Sequence, residues 1–517
     1  MNELNNRKRT SNIKRTSKMN ELNNRKRTRS RSSSASSLLW EHPSAKKKRQ
    51  AVKSQRETLP IFPFRKKIVD AIRASPVVVI VGATGSGKST QIPQYLLDVP
   101  TSRDGKVLVR QNQCVAITQP RRVAAVTVAK RVAHERSSKL GNEIGYAVRF
   151  DDCSCPETRV RFVTDGLLLR EAMVRRDLGR YRVIILDEAH ERSLHTDILL
   201  GFLKGLLRGK RKNSLRIVIM SATLNAAAFS SFFDSAPVLR IEGRQHPVRV
   251  MYTFEPQPDY VDAIITALLQ IHLDQGRKEG DVLAFLTGQD EIENVASILR
   301  ERIEDILRES NPSSRPLQML VCPIFAALPS DQQMKVFEAT PPNHRKIVLA
   351  TNIAESSITI PGIRFVVDAG FSKQRAYRAK TGVECLLVTP ISQEQAWQRS
   401  GRAGREAPGT CYRLFTEDAF ETELRKVAIP EIQRCNLCTV ILQLKAAGIE
   451  DVSSFDFIDP PSSGAILRSL QQLLALGALR ESDGKLTPLG KEMSGLPLNV
   501  SFAKLLIESF RFRCVDM

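Results

Sequence analysis

The sequence predicts an α/β protein with two successive parallel-sheet domains. Short, wholly apolar runs alternate with helical stretches, a pattern typical of strands buried on both faces of a sheet. The first set of runs is Val77–Val81, Cys114–Thr118, Val183–Leu186 and Ile217–Met220, and the second set is Val282–Leu286, Ile347–Ala350 and Phe365–Val367. A proline-containing stretch near residues 237–247 separates the two sets, which indicates two domains, and 517 residues suffice for three or four.

The first 56 residues differ in composition from the rest of the chain. They hold 17 Lys and Arg residues against three acidic residues, which leaves +14 of the net charge of +23 in this segment. The decapeptide MNELNNRKRT occurs at residues 1–10 and 19–28, and the basic tetrad Lys46–Arg49 follows later. Two copies of ten residues are too few for a solenoid, so we predict a disordered basic tail. The tetrad favours nuclear import or binding to a polyanion, and a solvated tail would explain the charge about as well.

Cysteine usage and hydropathy indicate the compartment. The nine cysteines follow no framework spacing, which is typical of a reducing compartment such as the cytosol or nucleus. We interpret Cys435 and Cys438 as buried helical cysteines, because no second CxxC pair or His pair lies near them. No run of 18 apolar residues occurs, so the sequence predicts no membrane-spanning segment.

Beyond about residue 420 the strands largely give way to helices. Ile432–Ala447 and Ala465–Leu476 have helical apolar spacing, and Ala478–Leu486 resembles a short hairpin that turns at Asp483-Gly484. Helices followed by a small hairpin suggest a winged-helix module. Helical sequence resumes near Leu489.

The segment Gly82–Ser89 reads GATGSGKS and directly follows the predicted strand Val77–Val81. It is a phosphate-binding loop in its required context, because its glycines let backbone N–H groups surround phosphate oxygens at a helix N-terminus. Lys88 is expected to reach the β- and γ-phosphates, and the Ser89 hydroxyl to ligate Mg²⁺. The predicted nucleotide-binding residues of this segment are Gly82, Thr84, Gly85, Ser86, Gly87, Lys88, Ser89 and Thr90.

A second motif, Asp187-Glu188-Ala189-His190, ends the predicted strand Val183–Leu186. At this position Asp187 would hold Mg²⁺, and Glu188 would accept the proton of the attacking water. In isolation these residues could also be the polar start of a surface helix, but the phosphate-binding loop upstream argues for the catalytic interpretation.

A third motif, Gln398–Arg405, reads QRSGRAGR at the end of the second domain. Arginines three residues apart on a helix share a face, and planar guanidinium groups suit a γ-phosphate that gains charge during transfer. We expect Arg402 and Arg405 to stabilise the transition state and Gln398 to orient the water. An arginine finger on a second domain would couple hydrolysis to closure of the domains.

These three motifs, in this order on two α/β domains, resemble the superfamily 2 helicases of the DEAH-box RNA helicase family. Further segments are similar to the remaining family motifs Ia, Ib, III, IV and V, and the resemblance covers about residues 59–507. These segments are Thr118–Ala125, Thr164–Glu171, Ser221–Thr223, Leu286–Glu293 and Thr351–Ile360. The resemblance implies two tandem RecA-like P-loop domains, a winged-helix module and the start of a helical ratchet domain. The implied boundaries are 1–56 for the tail, then 57–236, 237–420, 421–487 and 488–517.

The resemblance also implies roles for individual residues. Arg131 and Phe337 would sandwich the nucleotide base, and the less favoured alternative for Phe337 is a place in the core, where phenylalanine is often buried. Ser221 and Thr223 would couple nucleotide state to domain movement, and 372–389 would form a strand-separating β-hairpin. The residues expected to contact the RNA backbone are Arg121, Arg122, Thr164, Thr287, Gly288, Thr351 and Asn352. Pro361 stands where many relatives have an Asp that contacts the ribose, which puts that contact in doubt.

The predicted function is RNA-stimulated hydrolysis of ATP with Mg²⁺, coupled to 3′-to-5′ movement along RNA and remodelling of RNA or RNP complexes. We expect a nuclear or nucleolar protein and a protein activator. One alternative is a scaffolding form that binds RNA and hydrolyses ATP without unwinding, and another is a DNA helicase. Family members continue into a full ratchet domain and an OB-fold, so the sequence is expected to be a truncated product.

Overall fold

A computed structural model describes residues 43–98, 108–110, 112–209, 211–222, 226–243, 246–276, 278–309, 316–356, 358–378 and 381–514. The chain divides into two units, residues 1–58 and residues 59–517. No helix among the described residues is both long and apolar enough to cross a bilayer.

The described part of the first unit is helix α1 (Pro43–Glu57). Proline at the first helical position is favourable, and the Ala, Lys, Arg and Gln residues that follow are strong helix formers. The disordered tail expected over 1–56 stays a prediction: residues 43–56 lie in this helix, and residues 1–42 lie outside the described part of the chain.

The second unit begins with an eight-stranded sheet in the order β4-β3-β5-β2-β6-β7-β1-β8, parallel except for the β3–β4 pair. Its strands are β1 (Val77–Gly82), β2 (Cys114–Gln119), β3 (Ile144–Val148), β4 (Asp151–Cys153), β5 (Val160–Thr164), β6 (Tyr181–Leu186), β7 (Arg216–Ser221) and β8 (Val238–Ile241). The helices of this domain are α2 (Arg65–Ala74), α3 (Lys88–Leu97), α4 (Arg122–Glu135), α5 (Asp165–Val174), α6 (Leu194–Arg208) and α7 (Ala226–Phe232). Strand β8 pairs with β1, so this sheet continues beyond residue 236, where the sequence placed the domain boundary.

The second sheet has six parallel strands in the order β11-β12-β10-β13-β16-β9. They are β9 (Val248–Tyr252), β10 (Asp281–Phe285), β11 (Gln318–Ile324), β12 (His344–Ala350), β13 (Ile363–Asp368) and β16 (Gly409–Arg413). The helices are α8 (Tyr260–Asp274), α9 (Gln289–Glu309), α10 (Ser330–Met334), α11 (Gln393–Ser400) and α12 (Glu417–Thr422). Buried apolar clusters cover both faces of each sheet, so the predicted pair of α/β domains is confirmed.

A separate hairpin consists of β14 (Phe371–Arg378) and β15 (Val383–Pro390). It forms its own two-stranded antiparallel sheet, as predicted for 372–389. Apolar side chains of β15 are exposed, among them Val383 and Leu386. A role in strand separation stays a prediction.

The C-terminal module consists of α13 (Cys438–Ala446), α14 (Ser463–Ala475), α15 (Pro488–Gly495) and α16 (Val500–Arg511). A single antiparallel bridge, Leu479–Leu486, marks the predicted hairpin. Cys435 and Cys438 are both buried, but α13 begins only at Cys438, so Cys435 precedes the helix in which the sequence placed it.

This module packs against the first sheet domain, although the second domain lies between them in the sequence. One buried apolar cluster contains residues of both, including Leu199 and Leu203 of α6 together with Ile441 and Leu444 of α13. Ion pairs at its edge join Arg192 to Asp459 at 2.6 Å and Arg208 to Asp456 at 2.6 Å. The module and the first domain therefore share a core.

A substitution at Gly201 of α6 would test how tightly the C-terminal module packs against the first domain. A Cβ atom at Gly201 would lie 2.6 Å from ring atoms of Phe455 in the C-terminal module. We expect Gly201→Ala to lower the midpoint of thermal denaturation, because the clash outweighs a gain in helix propensity of about 1 kcal/mol. Gly205→Ala on the same helix is the control, since no described atom other than its chain neighbours and the backbone of its own helix lies within 4 Å of that Cβ position, and it should raise the midpoint. Equal shifts for both variants would contradict tight packing at Gly201.

Candidate nucleotide-binding site

The phosphate-binding loop connects β1 to α3. Gly85 and Gly87 have φ values of +83° and +96°, in the left-handed region that favours glycine. A Cβ atom on Gly87 would also lie 3.1 Å from side-chain atoms of Leu59 and Ile61. The N-terminus of α3 at Lys88 thus faces the loop with its free backbone N–H groups, an arrangement that binds anions.

Lys88 and Ser86 are buried polar side chains of this loop. The Lys88 ammonium donates hydrogen bonds to the carbonyl oxygens of Gly82 and, at 2.9 Å, Ala83. Burial lowers the pKa of Lys88, while the nearby Glu188 and Asp187 carboxylates act in the opposite direction. The Ser86 hydroxyl is buried without a hydrogen-bond partner among the described residues. A phosphate group would fit this loop, because it would satisfy both side chains.

Asp187 and Glu188 follow β6 at the carboxyl edge of the first sheet. Gln119, at the same edge, donates a hydrogen bond of 2.5 Å from Nε2 to Oδ2 of Asp187, and the nearby Ser89 side chain favours the charged form of this carboxylate. Burial, reinforced by the neighbouring Glu188 charge, raises the pKa of Asp187 to about 6. Burial likewise raises the pKa of Glu188. Two buried carboxylates beside a serine hydroxyl are hard oxygen donors that suit Mg²⁺.

His190, two residues after Glu188, links the acidic pair Asp187-Glu188 to motif III (Ser221–Thr223). Glu188 itself has a left-handed backbone with φ +51°. His190 Nε2 lies 3.5 Å from Glu188 Oε2, and its Nδ1 accepts a hydrogen bond of 3.2 Å from the backbone N–H of Ala222. Ser221, which ends β7, is fully buried, whereas Thr223 lies outside the described residues.

The two arginines predicted to act in catalysis occupy different environments. Arg405 lines the same cleft as the phosphate-binding loop of the first domain, and it donates hydrogen bonds to Thr359 Oγ1 and, at 3.2 Å, to the carbonyl oxygen of Ile358. Burial lowers the pKa of Arg405 to about 10. Arg402 is buried and donates to the carbonyl oxygens of Glu355, Ser356 and Ile358. Both arginines therefore contact motif V, but only Arg405 also lines the cleft that contains the phosphate-binding loop.

A cleft of about 480 Å³ between the two sheet domains collects most of the predicted nucleotide-binding side chains. The predicted residues that line it are Thr84, Gly85, Gly87, Lys88, Ser89, Thr90, Arg131, Glu188, Phe337 and Arg405. Gln398 is half-buried on α11 and does not line this cleft. Pro361 lines it, so an apolar ring stands at the position where relatives contact the ribose.

Sequence reasoning missed Glu135, whose buried carboxylate lines the same cleft. It pairs with Arg131 and also accepts hydrogen bonds from Gln91 and Gln94 of α3. The four-residue spacing of Arg131 and Glu135 on a helix was an available signal, because such residues are neighbours on one face.

The predicted RNA-contacting residues lie mainly at the carboxyl edges of both sheets. Arg121 contacts both domains. It donates a hydrogen bond of 3.1 Å to the carbonyl oxygen of Asn352 in the second domain and one of 3.4 Å to the Glu191 carboxylate in the first domain. Thr164 stands opposite Gln119 in the β2–β5 register. Thr287 is less available to RNA than the other predicted contacts, because it is buried and its hydroxyl donates a hydrogen bond of 2.5 Å to Glu291.

The remaining predicted RNA contacts have local partners or neighbours. Arg122 donates a hydrogen bond of 3.2 Å to the carbonyl oxygen of Arg149. A Cβ atom on Gly288 would lie 3.3 Å from Nζ of Lys373 at the base of the hairpin, so a cation stands beside this position. Thr351 follows β12 and is the N-cap residue of the short 3₁₀ helix Asn352–Ala354, where its side chain makes no capping hydrogen bond.

Two parallel-sheet domains with a phosphate-binding loop, an acidic pair and an arginine meeting in one cleft define a two-domain P-loop nucleoside triphosphatase. The sequence matches the families described as DEAD/DEAH box helicase over residues 62–230 and Helicase conserved C-terminal domain over residues 263–407. Residues 469–498 match Helicase associated domain (HA2), winged-helix. The chain is 46% identical to Pre-mRNA-splicing factor ATP-dependent RNA helicase DEAH10 of Arabidopsis thaliana over 90% of its length. The chain belongs to the DEAH-box helicase family.

A solved structure supports the same assignment. The fold matches the crystal structure of the Escherichia coli DEAH/RHA helicase HrpB with a TM-score of 0.76 and 33% sequence identity over 87% of this chain. The chain spans 68% of the length of the Arabidopsis relative and about half, 54%, of the HrpB chain.

Proposed function

We propose that this chain is an ATP-dependent RNA helicase, in which RNA-stimulated hydrolysis of ATP drives 3′-to-5′ movement along RNA. The observation that carries the proposal is the single cleft that holds Lys88, Glu188 and Arg405 from both sheet domains. Because the cleft needs both domains, hydrolysis can respond to their relative position and hence to RNA bound across them.

The side chains that line the cleft have different roles in phosphoryl transfer. The phosphate-binding loop and Lys88 hold the β- and γ-phosphates, and Glu188 accepts the proton of the attacking water. Arg405 offsets the charge that develops on the γ-phosphate. Ser89 and Asp187 would hold Mg²⁺, which supplies charge neutralisation between the β- and γ-phosphates when bound.

Contacts between the domains offer a route from RNA to this cleft. Arg121 reaches Asn352 and Glu191, and Ser356 of the second domain donates a hydrogen bond to the same Glu191. Glu191 is three residues after Glu188, so RNA that engages Arg121 would alter the setting of the catalytic base. His190 extends the connection to motif III through Ala222.

The relative's name and the basic N-terminal segment support the proposed substrate and compartment. A splicing-factor relative and the tetrad Lys46–Arg49 support nuclear work on pre-mRNA or an RNP complex. A protein activator that adjusts closure of the two domains would suit a cleft of this kind.

The experiment that tests the proposal is steady-state ATP hydrolysis by the full chain with and without single-stranded RNA. We expect RNA to raise the turnover rate at saturating ATP, and single-stranded DNA of the same sequence to have a smaller effect. Stimulation by DNA alone would contradict the RNA assignment. Displacement of a strand from a 3′-tailed RNA duplex is the second measurement, and hydrolysis without displacement would favour the scaffolding alternative.

A further inference from the structure

The amino edge of the first sheet, opposite to the edge that carries the phosphate-binding loop, holds a row of arginines. The four parallel strands β5, β2, β6 and β7 are neighbours in this order. Six arginines lie at or shortly before the starts of these strands, and we call them the arginine row: Arg110, Arg159, Arg180, Arg182, Arg211 and Arg216. Because neighbouring strands are about 4.8 Å apart, the row extends over roughly 14 Å.

Hydrogen bonds to backbone carbonyl oxygens hold members of the row in place. Arg182 donates from Nε to Leu108 at 3.3 Å and from Nη1 to Asn213 at 3.4 Å, so it joins the segments that precede β2 and β7. Arg211 donates from Nη2 to the carbonyl oxygen of Tyr181, the first residue of β6, at 2.7 Å. Guanidinium groups at the starts of neighbouring strands are therefore kept close to one another.

The positive charge of the row is largely uncompensated. None of its members forms an ion pair with a carboxylate among the described residues, whereas Arg136 and Arg161 of the same domain each pair with two carboxylates. Burial lowers the pKa of Arg182, and three other members of the row lower it further. Burial also lowers the pKa of Arg211, which the Asp177 carboxylate partly offsets. Like charges held together destabilise the compact state, and a bound polyanion would relieve that repulsion.

The composition of this edge favours a phosphate backbone over a protein as the partner. No large apolar side chain is exposed among the described residues of the segments that carry the row, which are 108–114, 155–160, 177–182 and 209–216. Protein interfaces have an apolar core rich in aromatic residues, whereas nucleic-acid interfaces are polar and strongly positive. Guanidinium groups also present planar pairs of donors that match two oxygens of a phosphate.

We propose that the amino edge of the first sheet is a second RNA-binding surface, on which the arginine row holds the phosphate backbone of an RNA segment outside the nucleotide cleft and the carboxyl edges. This inference goes beyond the proposed function and relies on it only for the choice of RNA as the nucleic acid. The strands between the two edges have six residues at most, so the edges are about 20 Å apart. Two such surfaces on one RNA would raise its affinity without reading its sequence.

A triple substitution of the members with the fewest structural contacts tests this surface. Arg110 is exposed, and Arg180 and Arg216 each donate one hydrogen bond to a backbone carbonyl oxygen. In the variant Arg110→Gln, Arg180→Gln, Arg216→Gln we expect the Kd of a 3′-tailed RNA duplex to rise about 10- to 100-fold at about 0.1 M salt, measured by fluorescence anisotropy without nucleotide. The slope of log Kd against log salt concentration should fall by about 2 to 3, because each lost phosphate contact lowers it by about 1. An unchanged Kd and slope would overturn the proposal.

A short single-stranded RNA separates this surface from the RNA contacts at the carboxyl edges. The measurement is the concentration of this RNA that half-saturates the stimulation of ATP hydrolysis, since stimulation reports only RNA that acts on the cleft. We expect the triple variant to keep the wild-type value within about twofold, because none of the substituted side chains lies at the carboxyl edges. An increase as large as the rise in Kd for the tailed duplex would show that the substitutions disturb the cleft, and the proposal would fail.

The matched control removes the same three charges from exposed arginines elsewhere. Arg308, Arg480 and Arg511 are each paired with a nearby carboxylate on the surface. Their simultaneous replacement by Gln should change the Kd of the tailed duplex by less than about twofold and leave its salt dependence as it is. If this control weakens binding as much as the variant of the arginine row, the effect comes from net charge alone and no surface is defined.

The double variant Arg110→Gln, Arg180→Gln covers the case in which the triple variant does not fold, since both side chains are exposed. The salt dependence of its Kd should fall by about 1 to 2. Polyglutamate is the probe for an acidic protein partner. If the substitutions weaken binding of polyglutamate and leave the tailed duplex unaffected, the surface fits a protein and the RNA proposal is wrong. A wild-type chain whose ATP hydrolysis does not respond to RNA would refute the proposed function, whereas the duplex titrations would still decide this inference.

Discussion

Glu188→Gln is expected to lower the rate constant for ATP hydrolysis by about 10²–10⁴-fold, the range for loss of a general base. Glutamine has the shape of glutamate but cannot accept the proton of the attacking water. Binding of Mg²⁺-ATP should be retained or tightened, because Glu188 and Asp187 are buried neighbours and the charge of Glu188 raises the pKa of Asp187. Removing that charge leaves Asp187 a better ligand for a cation.

Single-turnover hydrolysis and Mg²⁺-ADP titration measure the two effects separately. The control is Glu157→Gln, which makes the same change at an exposed loop position and should leave both values unchanged. A Glu188→Gln variant that keeps most of its hydrolysis rate would refute the role of Glu188 and weaken the assignment of the cleft.

Arg405→Lys is expected to lower kcat by about 10³-fold or more, as the loss of an arginine finger does. Arg405 lines the cleft with Lys88 and Glu188, and its pKa of about 10 keeps it charged at neutral pH. Lysine keeps the charge but not the planar donor group that can span two phosphate oxygens. The thermal denaturation midpoint should change little, because lysine can still donate to the Thr359 hydroxyl or to the Ile358 carbonyl oxygen, the groups to which Arg405 donates.

Arg402→Lys provides the contrast within the same motif. Arg402 is buried and donates to three carbonyl oxygens of motif V, which lysine cannot satisfy together. We expect this variant to lower the denaturation midpoint as well as kcat. If Arg402→Lys leaves stability unchanged and lowers kcat as much as Arg405→Lys, both arginines contact the phosphates, as the sequence alone predicts.

The strands that the sequence predicted are those buried on both faces of a sheet. Val183–Leu186 and Ile217–Met220 lie in the middle of the first sheet, where every side chain is apolar. Strand β5 was missed because Arg161 and Thr164 interrupt its apolar pattern. Arg161 is nevertheless buried, and its ion pair with Glu171 and hydrogen bond with Tyr181 compensate its charge. Such compensation depends on residues distant in sequence and cannot be seen in a local pattern.

In the nucleotide-binding site, too, some residues were predictable from the local sequence and others depend on tertiary contacts. Lys88, Ser89, Asp187 and Glu188 were predictable because the phosphate-binding loop and the acidic pair each follow a predicted strand directly, and the carboxyl ends of parallel strands meet at one edge. The different settings of Arg402 and Arg405 were not predictable, because their three-residue spacing implies a shared helical face. The helix α11 ends at Ser400, so both arginines lie beyond it and their side chains need not share a face.

The sequence by itself determined the two parallel-sheet domains, the phosphate-binding loop and the acidic pair, because these depend on strand burial, glycine conformations and residues adjacent in the chain. Only the tertiary structure decided which domain carries the C-terminal module, which arginine enters the cleft and which carboxylate holds Arg131. Each of these depends on contacts between segments far apart in the sequence. Packing and charge compensation determine such contacts only when the chain is folded.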